Sequence, residues 1–300
     1  MVRVLAETIL AAALILLAAA PVSAQAWVPP AGVGAVNVIF QNVDHTGHLL
    51  TDGSNLPGFD SQSRGLLIGF DYAITDRLSF TADIPYVGSK YIGPLPGFFG
   101  IEIDDCFCWN HSFQDFGFTA RYNLFGESFG AFALTPSVGF GVPTHDYPFV
   151  GEAVVGRNLN ELRLNLDSGV RLDAISPRLS VSGRYSYAFV ERVLDLPNDR
   201  SNAYVSVGYL LSQSLAGSLD FYWQHSHGGV TNDDFFAGVP DEVFFQFDRI
   251  LKDNSFHIGG SLAYSFSTLD VFGSYVAFVD GTDTHLGRSI TVGVSYPFQF

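Results

Sequence analysis

The stretch 161–173, ELRLNLDSGVRLD, admits one regular structure. Leu162, Leu164, Leu166, Val170 and Leu172 alternate with Glu161, Arg163, Asn165, Asp167, Gly169, Arg171 and Asp173. Successive side chains of a strand point to opposite faces, so as a strand this segment has one apolar and one charged face. Wound as a helix, it would spread charge around its whole circumference. Residues 178–189 repeat the pattern, with Leu179, Val181, Tyr185, Tyr187 and Phe189 against Arg178, Ser180, Ser182, Arg184 and Ser186. About twelve segments read this way, near 32–41, 64–74, 78–87, 113–123, 130–142, 159–172, 178–190, 201–211, 215–225, 255–266, 270–279 and 288–300.

The connections between these segments alternate in length. Those near 75–77, 124–129, 173–177, 212–214 and 267–269 are short; those near 42–63, 88–112, 143–158, 191–200, 226–254 and 280–287 are longer. An up-and-down sheet sends alternate connections to opposite rims, and outer-membrane barrels have tight periplasmic turns and long outside loops. A soluble sandwich also alternates polar and apolar residues, but has no reason to gather its long loops at one end. The expectation is an all-β, transmembrane, up-and-down antiparallel barrel of about 12 strands. Beyond residue 24 no apolar run approaches the roughly 18 residues of a membrane helix.

Both ends of the chain suit that destination. Residues 1–24 read as a signal peptide: Arg3, an apolar run over 8–20 (TILAAALILLAAA), then Val22 and Ala24 at the −3 and −1 positions of a cleavage site. Residues 25–300 are then the outer-membrane barrel. At the other end Ile290, Val292, Val294, Tyr296, Phe298 and Phe300 occupy every second position. That terminus resembles the signal read by the barrel-assembly machinery of Gram-negative bacteria, a partner expected to recognise Phe300.

Composition narrows the function classes. A net charge of −15 excludes a nucleic-acid binder, which needs a basic face. Two Cys exclude a disulfide scaffold, and 47% hydrophobic residues exclude disorder. Many acids fall in the long connections, among them Asp104, Asp105, Asp146, Glu152, Glu191, Asp199, Asp233, Asp234, Asp241, Glu242 and Asp253. The charge thus describes an outer rim, where lipopolysaccharide and its divalent cations are the expected neighbours.

On the other strand face stand Asp71, Asp83, Asp115, Arg121, Glu161, Arg163, Asp167, Arg171, Arg178, Arg184 and Asp220. Each would cost roughly 2–4 kcal/mol in hydrocarbon, so they are expected to line a lumen. They form either a structural ion-pair network or a polar constriction that a solute passes. Phe98, Phe99, Phe107, Phe235 and Phe236 are candidates for capturing a hydrophobic solute from outside.

Two polar clusters invite an enzymatic or metal reading. His225 and Ser226 are adjacent, hence on opposite strand faces, which speaks against a nucleophile–base pair and against a barrel lipid hydrolase. Asp104, Asp105, Cys106, Cys108 and His111 contain metal-ligating types, but a Cys-x-Cys pair without a second pair is a weak motif. A local disulfide staple or free thiols are the alternatives there. No catalytic residue, metal or cofactor is assigned.

Residues 69–87, GFDYAITDRLSFTADIPYV, resemble the hallmark hairpin of a proteobacterial outer-membrane transporter family labelled "MetA-pathway of phenol degradation". Tyr72, Thr75, Asp76, Arg77, Pro85 and Tyr86 match its pattern, while Ala73 and Ile74 replace Gly and Leu. Residues 112–121 and 139–144 are similar to its next two elements, with Gln114 and His145 where Gly is usual. The resemblance implies uptake of aromatic or other hydrophobic compounds across the outer membrane. A binding or structural barrel with a plugged lumen is the alternative reading.

Overall fold

The computed structural model describes residues 26–92, 108–125, 130–147, 155–244 and 246–300, without the side chains at 57–59, 236, 241, 244, 247 and 248. The expected leader at 1–24 therefore lies outside the described residues, as do Phe98, Phe99, Phe107 and Cys106.

The strands are β1 (Val33–Leu49), β2 (Asn55–Ala73), β3 (Leu78–Tyr91), β4 (Asn110–Phe113), β5 (Asp115–Tyr122), β6 (Phe132–Pro143) and β7 (Glu161–Arg171). They continue as β8 (Leu179–Val190), β9 (Arg200–Leu210), β10 (Leu215–Ser226), β11 (Asn254–Ser265), β12 (Asp270–Thr282) and β13 (His285–Gln299). Each pairs antiparallel with its sequence neighbour, apart from β4 and β5, which both pair with β3; β13 closes on β1. The two short strands are halves of one stave, so the sheet is a closed barrel of twelve staves. Their break at Gln114 lies opposite Pro85, whose carbonyl accepts from the Gln114 N–H at 2.9 Å. Proline has no N–H to return, so the ladder is interrupted there.

The inner turns are tight for a local reason. In the 74–77 turn the Thr75 hydroxyl accepts from the N–H groups of Arg77 (3.2 Å) and Leu78 (2.9 Å), a side-chain-stabilised turn. At the outer rim two connections differ from the sequence expectation. The expected long loops near 42–63 and 280–287 are instead tall hairpins, closed by 50–54 and by 283–284. Strands β1 and β2 run for 17 and 19 residues, well past the roughly 9–11 that span a bilayer. Beyond the lipid both faces meet water, the alternation fades, and the sequence there (NVDHTGHL) looks like loop.

Outside, the barrel is apolar. In β13 Ile290, Val292, Val294 and Tyr296 remain between 40% and 58% exposed, as do Val36, Val38 and Phe40 at similar levels in β1. A soluble fold buries such residues; a barrel turns them to lipid. Rings gather towards both ends of this belt: Tyr72, Phe298 and Phe300 at the inner end, Tyr86, Phe113, Tyr187 and Phe189 at the outer.

Strand stagger gives the inner wall its order. One row of register partners runs Ala35, Asp71, Thr81, Thr119, Gly139, Arg163, Ala188, Arg200, Ser226. It begins near the inner end of β1 and finishes at the outer end of β10.

Candidate functional site

The inward face between the two rims is where charged side chains meet. Arg184 of β8 holds Asp167 of β7 with two bonds, Nε to Oδ1 at 2.6 Å and Nη2 to Oδ2 at 3.0 Å. The two residues are register partners, so alternation alone puts them on one face. Asp167 is 1% exposed, which an ionised carboxylate tolerates only with such a partner. Farther out on the same wall, Arg200 of β9 bonds Glu161 of β7. Asp71 accepts from Asn37 at 2.7 Å across the β1–β2 ladder. Asp220 gathers Ser206 (2.6 Å), Ser218 (2.9 Å) and Tyr204 (3.0 Å).

Arg163 donates to the Phe140 carbonyl at 3.2 Å, and Asp83 lies against Gly117, where a Cβ would come within 2.5 Å of its carboxylate. Arg121 is buried on the wall of β5. Arg171 and Arg178 occupy a different place: β7 ends and β8 begins there, and both residues are exposed at the inner rim, Arg171 facing Asp173 at 3.5 Å.

Two segments enter the barrel from its ends, and neither has a periodic sequence signal. At the inner end the chain before β1 reaches across to β6 and β7. Thr135 donates to the Ala26 carbonyl at 2.6 Å and the Trp27 indole donates to Gly130 at 3.2 Å. Val28 is 0% exposed. Gly169 is required beneath this strap, since a Cβ there would lie 2.4 Å from the Trp27 ring.

At the outer end residues 227–253 carry short helices at Asn232–Ala237, Asp241–Phe244 and Phe247–Ile250. Ile250 packs with Leu159, Ala188, Val190 and Val193 at the top of the β7–β8 wall. On the opposite side Asn232 is tied to Leu49 and Asp283, and Asp253 to Thr284. The segment thus spans the outer mouth from β7–β8 to the tall hairpins. Phe235 belongs to it but is only 5% exposed, so its ring is buried and not presented to the outside. The side chain of Phe236 lies outside the described residues.

Hydrogen bonds fix the loops around this mouth. Tyr147 donates to Asp115 at 2.6 Å and accepts from the Asn158 N–H at 2.8 Å. Burial and the Asp115 carboxylate push its phenol well above the ordinary range, so it stays a donor. Glu191 accepts from the Asn160 backbone N–H (3.1 Å) and side-chain amide (2.7 Å), which holds its carboxyl below the usual range.

Of the pair weighed for hydrolysis, Ser226 faces inward on the Asp253 carbonyl, and His225 stacks outside on Trp223. The Ser–His contact in this region is instead Ser201 to His227, 2.7 Å apart on neighbouring chain segments that sequence spacing does not connect. Ser201 also bonds the Tyr185 hydroxyl at 2.8 Å, and Tyr187 stacks on His227. These contacts tie Ser201, Tyr185, Tyr187 and His227 into one polar knot in the aromatic belt, and among the described residues His227 has no side-chain carboxylate partner. Cys108 is disulfide-bonded, and Arg64 lies over the neighbouring Trp109 ring at 4.4 Å.

No protein-family model matches the chain, and no curated protein matches it significantly. Solved structures do. A COG4313 outer membrane channel from Pseudomonas putida F1 superposes with a TM-score of 0.71 at 11% identity, covering 91% of this chain and 98% of that one. The translocator domain of the autotransporter NalP from Neisseria meningitidis gives 0.51 at 12% identity, covering 97% and 98%. The β domain of the Bordetella autotransporter BrkA gives 0.51 at 12% identity over 89% and 100%. At these identities the likeness concerns architecture, and the architecture is that of an outer-membrane β-barrel.

Proposed function

We propose that this chain is an outer-membrane channel for small solutes, with hydrophobic or aromatic compounds as its cargo. The observation that carries the reading is a wall of paired and hydrogen-bonded charges enclosed by an apolar-belted, closed barrel. Asp71, Glu161, Arg163, Asp167, Arg200 and Asp220 give that inner surface the polar lining a solute passage uses. The likeness to the Pseudomonas putida channel and the resemblance of residues 69–87 to a transporter family support the same reading. Location follows in the proposal: export by residues 1–24, assembly through Phe300 and a rim set among lipopolysaccharide. For the cargo, the hydrophobic or aromatic chemistry comes from the resemblance of residues 69–87; the apolar cluster around Ile250 is itself buried and only anchors the outer segment.

The second reading, a plugged barrel with a structural or binding role, is favoured by the strap at Ala26 and Val28, which are almost fully buried. One experiment separates them. The folded chain in planar bilayers is expected to pass a small current, and deletion of residues 26–29 is expected to raise it severalfold. A barrel that stays closed to ions and to liposome-swelling solutes in both forms would sink the channel reading.

A further inference from the structure

Arg121 is 8% exposed on the inward face of β5, and among the described residues its Nε and Nη2 have no hydrogen-bond acceptor. Its register partner on β3, Ser79, is 3% exposed, and the Ser79 hydroxyl is likewise without a partner there. Opposed residues in a ladder hold their Cβ atoms about 5 Å apart, so the two side chains leave the same stretch of the inner wall. Ser137, the register partner on β6, completes the row and already accepts from Asn165 at 3.0 Å.

The charges that face Arg121 are committed elsewhere. They are Asp167, Arg184 and Asp71. Asp167 has both oxygens on Arg184, and Asp71 is bonded to Asn37. Arg121 is therefore balanced in charge at a distance, but this edge lacks an acceptor in contact, an expensive state for a buried guanidinium. Nε and Nη2 form one edge of the guanidinium, and that edge matches the two oxygens of a carboxylate. Arg184 makes this grip on Asp167, on the same wall.

We propose that Arg121, with Ser79 beside it, is a lumen subsite for the carboxylate of a small solute. The subsite lies one step outward from the strap, because Thr135, which holds Ala26, is two residues before Ser137 on β6. A solute arriving from the outer mouth would meet it before the strap. The proposal deepens the channel reading and rests on it, giving the cargo a carboxylate head in addition to an apolar body.

The test uses the folded full chain in detergent, with benzoate as probe and benzamide as the control that keeps the ring but not the charge. Titration calorimetry is expected to show benzoate binding and no matching benzamide binding. Arg121→Gln should weaken benzoate about tenfold or more, and Arg121→Lys, which keeps the charge without the paired edge, should fall between. If Arg121→Gln does not fold, as judged by heat-modified gel mobility, Ser79→Ala takes its place and should weaken binding severalfold. Equal affinity in the wild type and the folded variant, or benzamide binding as well as benzoate, would overturn the subsite. Displacement of benzoate by chloride or inorganic phosphate at equal concentration would overturn the carboxylate assignment. Bilayer current keeps the two readings apart. A barrel that conducts but ignores benzoate loses the subsite alone; one that binds benzoate through Arg121 yet never conducts loses the channel reading alone.

Discussion

Asp167 and Arg184 show how a single residue pair can be legible in a sequence while its neighbours are not. Their facing positions follow from alternation and a short turn at 172–178, both of which are plain in the order of the residues. The surroundings of Arg121 cannot be read that way, because they depend on which strand sits beside which and at what stagger. The prediction for these residues is unequal consequences for the two arginines. Arg184→Ala strands a carboxylate that is 1% exposed and should cost about 3 kcal/mol in unfolding free energy. Arg121→Gln removes a guanidinium whose Nε and Nη2 have no acceptor among the described residues, and should cost far less. Denaturant unfolding from detergent or lipid vesicles measures both; a larger loss for Arg121→Gln would contradict the assignment of partners.

Among elements, strands that touch lipid were legible and segments that touch only protein or water were not. Residues 26–30 (AWVPP) and 227–253 carry no periodicity because their burial is decided by distant residues such as Gly169, Thr135, Leu49 and Asp283. The outer loops yield two expectations. Tyr147→Phe leaves the Asp115 carboxylate and the Asn158 N–H without that hydroxyl, which should loosen the 144–160 connection by about 1–3 kcal/mol. Faster proteolytic nicking there, with the barrel intact, is the readout. Glu191 concerns pH. Its carboxyl is held below the ordinary value by Asn160, so its contribution is complete above the unfolded value of about 4.3 and is lost as pH falls through the lower folded one. Acid should therefore loosen the 160–191 contact in the wild type, and in Glu191→Gln the same proteolytic assay should show no acid-dependent step.

For the whole molecule, closure makes the stagger of the strands a property of the bore itself. The inward row from Ser226 through Arg200 and Arg163 to Asp71 and Ala35 is continuous in strand pairing, yet it starts at the outer end of one strand and reaches the inner end of another. The row winds most of the way round the interior like rifling, with polar side chains at Ser226, Arg200, Arg163, Thr119, Thr81 and Asp71 and small residues between them. In the proposed channel, a solute that kept its polar head on that row would turn about the barrel axis as it descended, handing its head from one strand to the next.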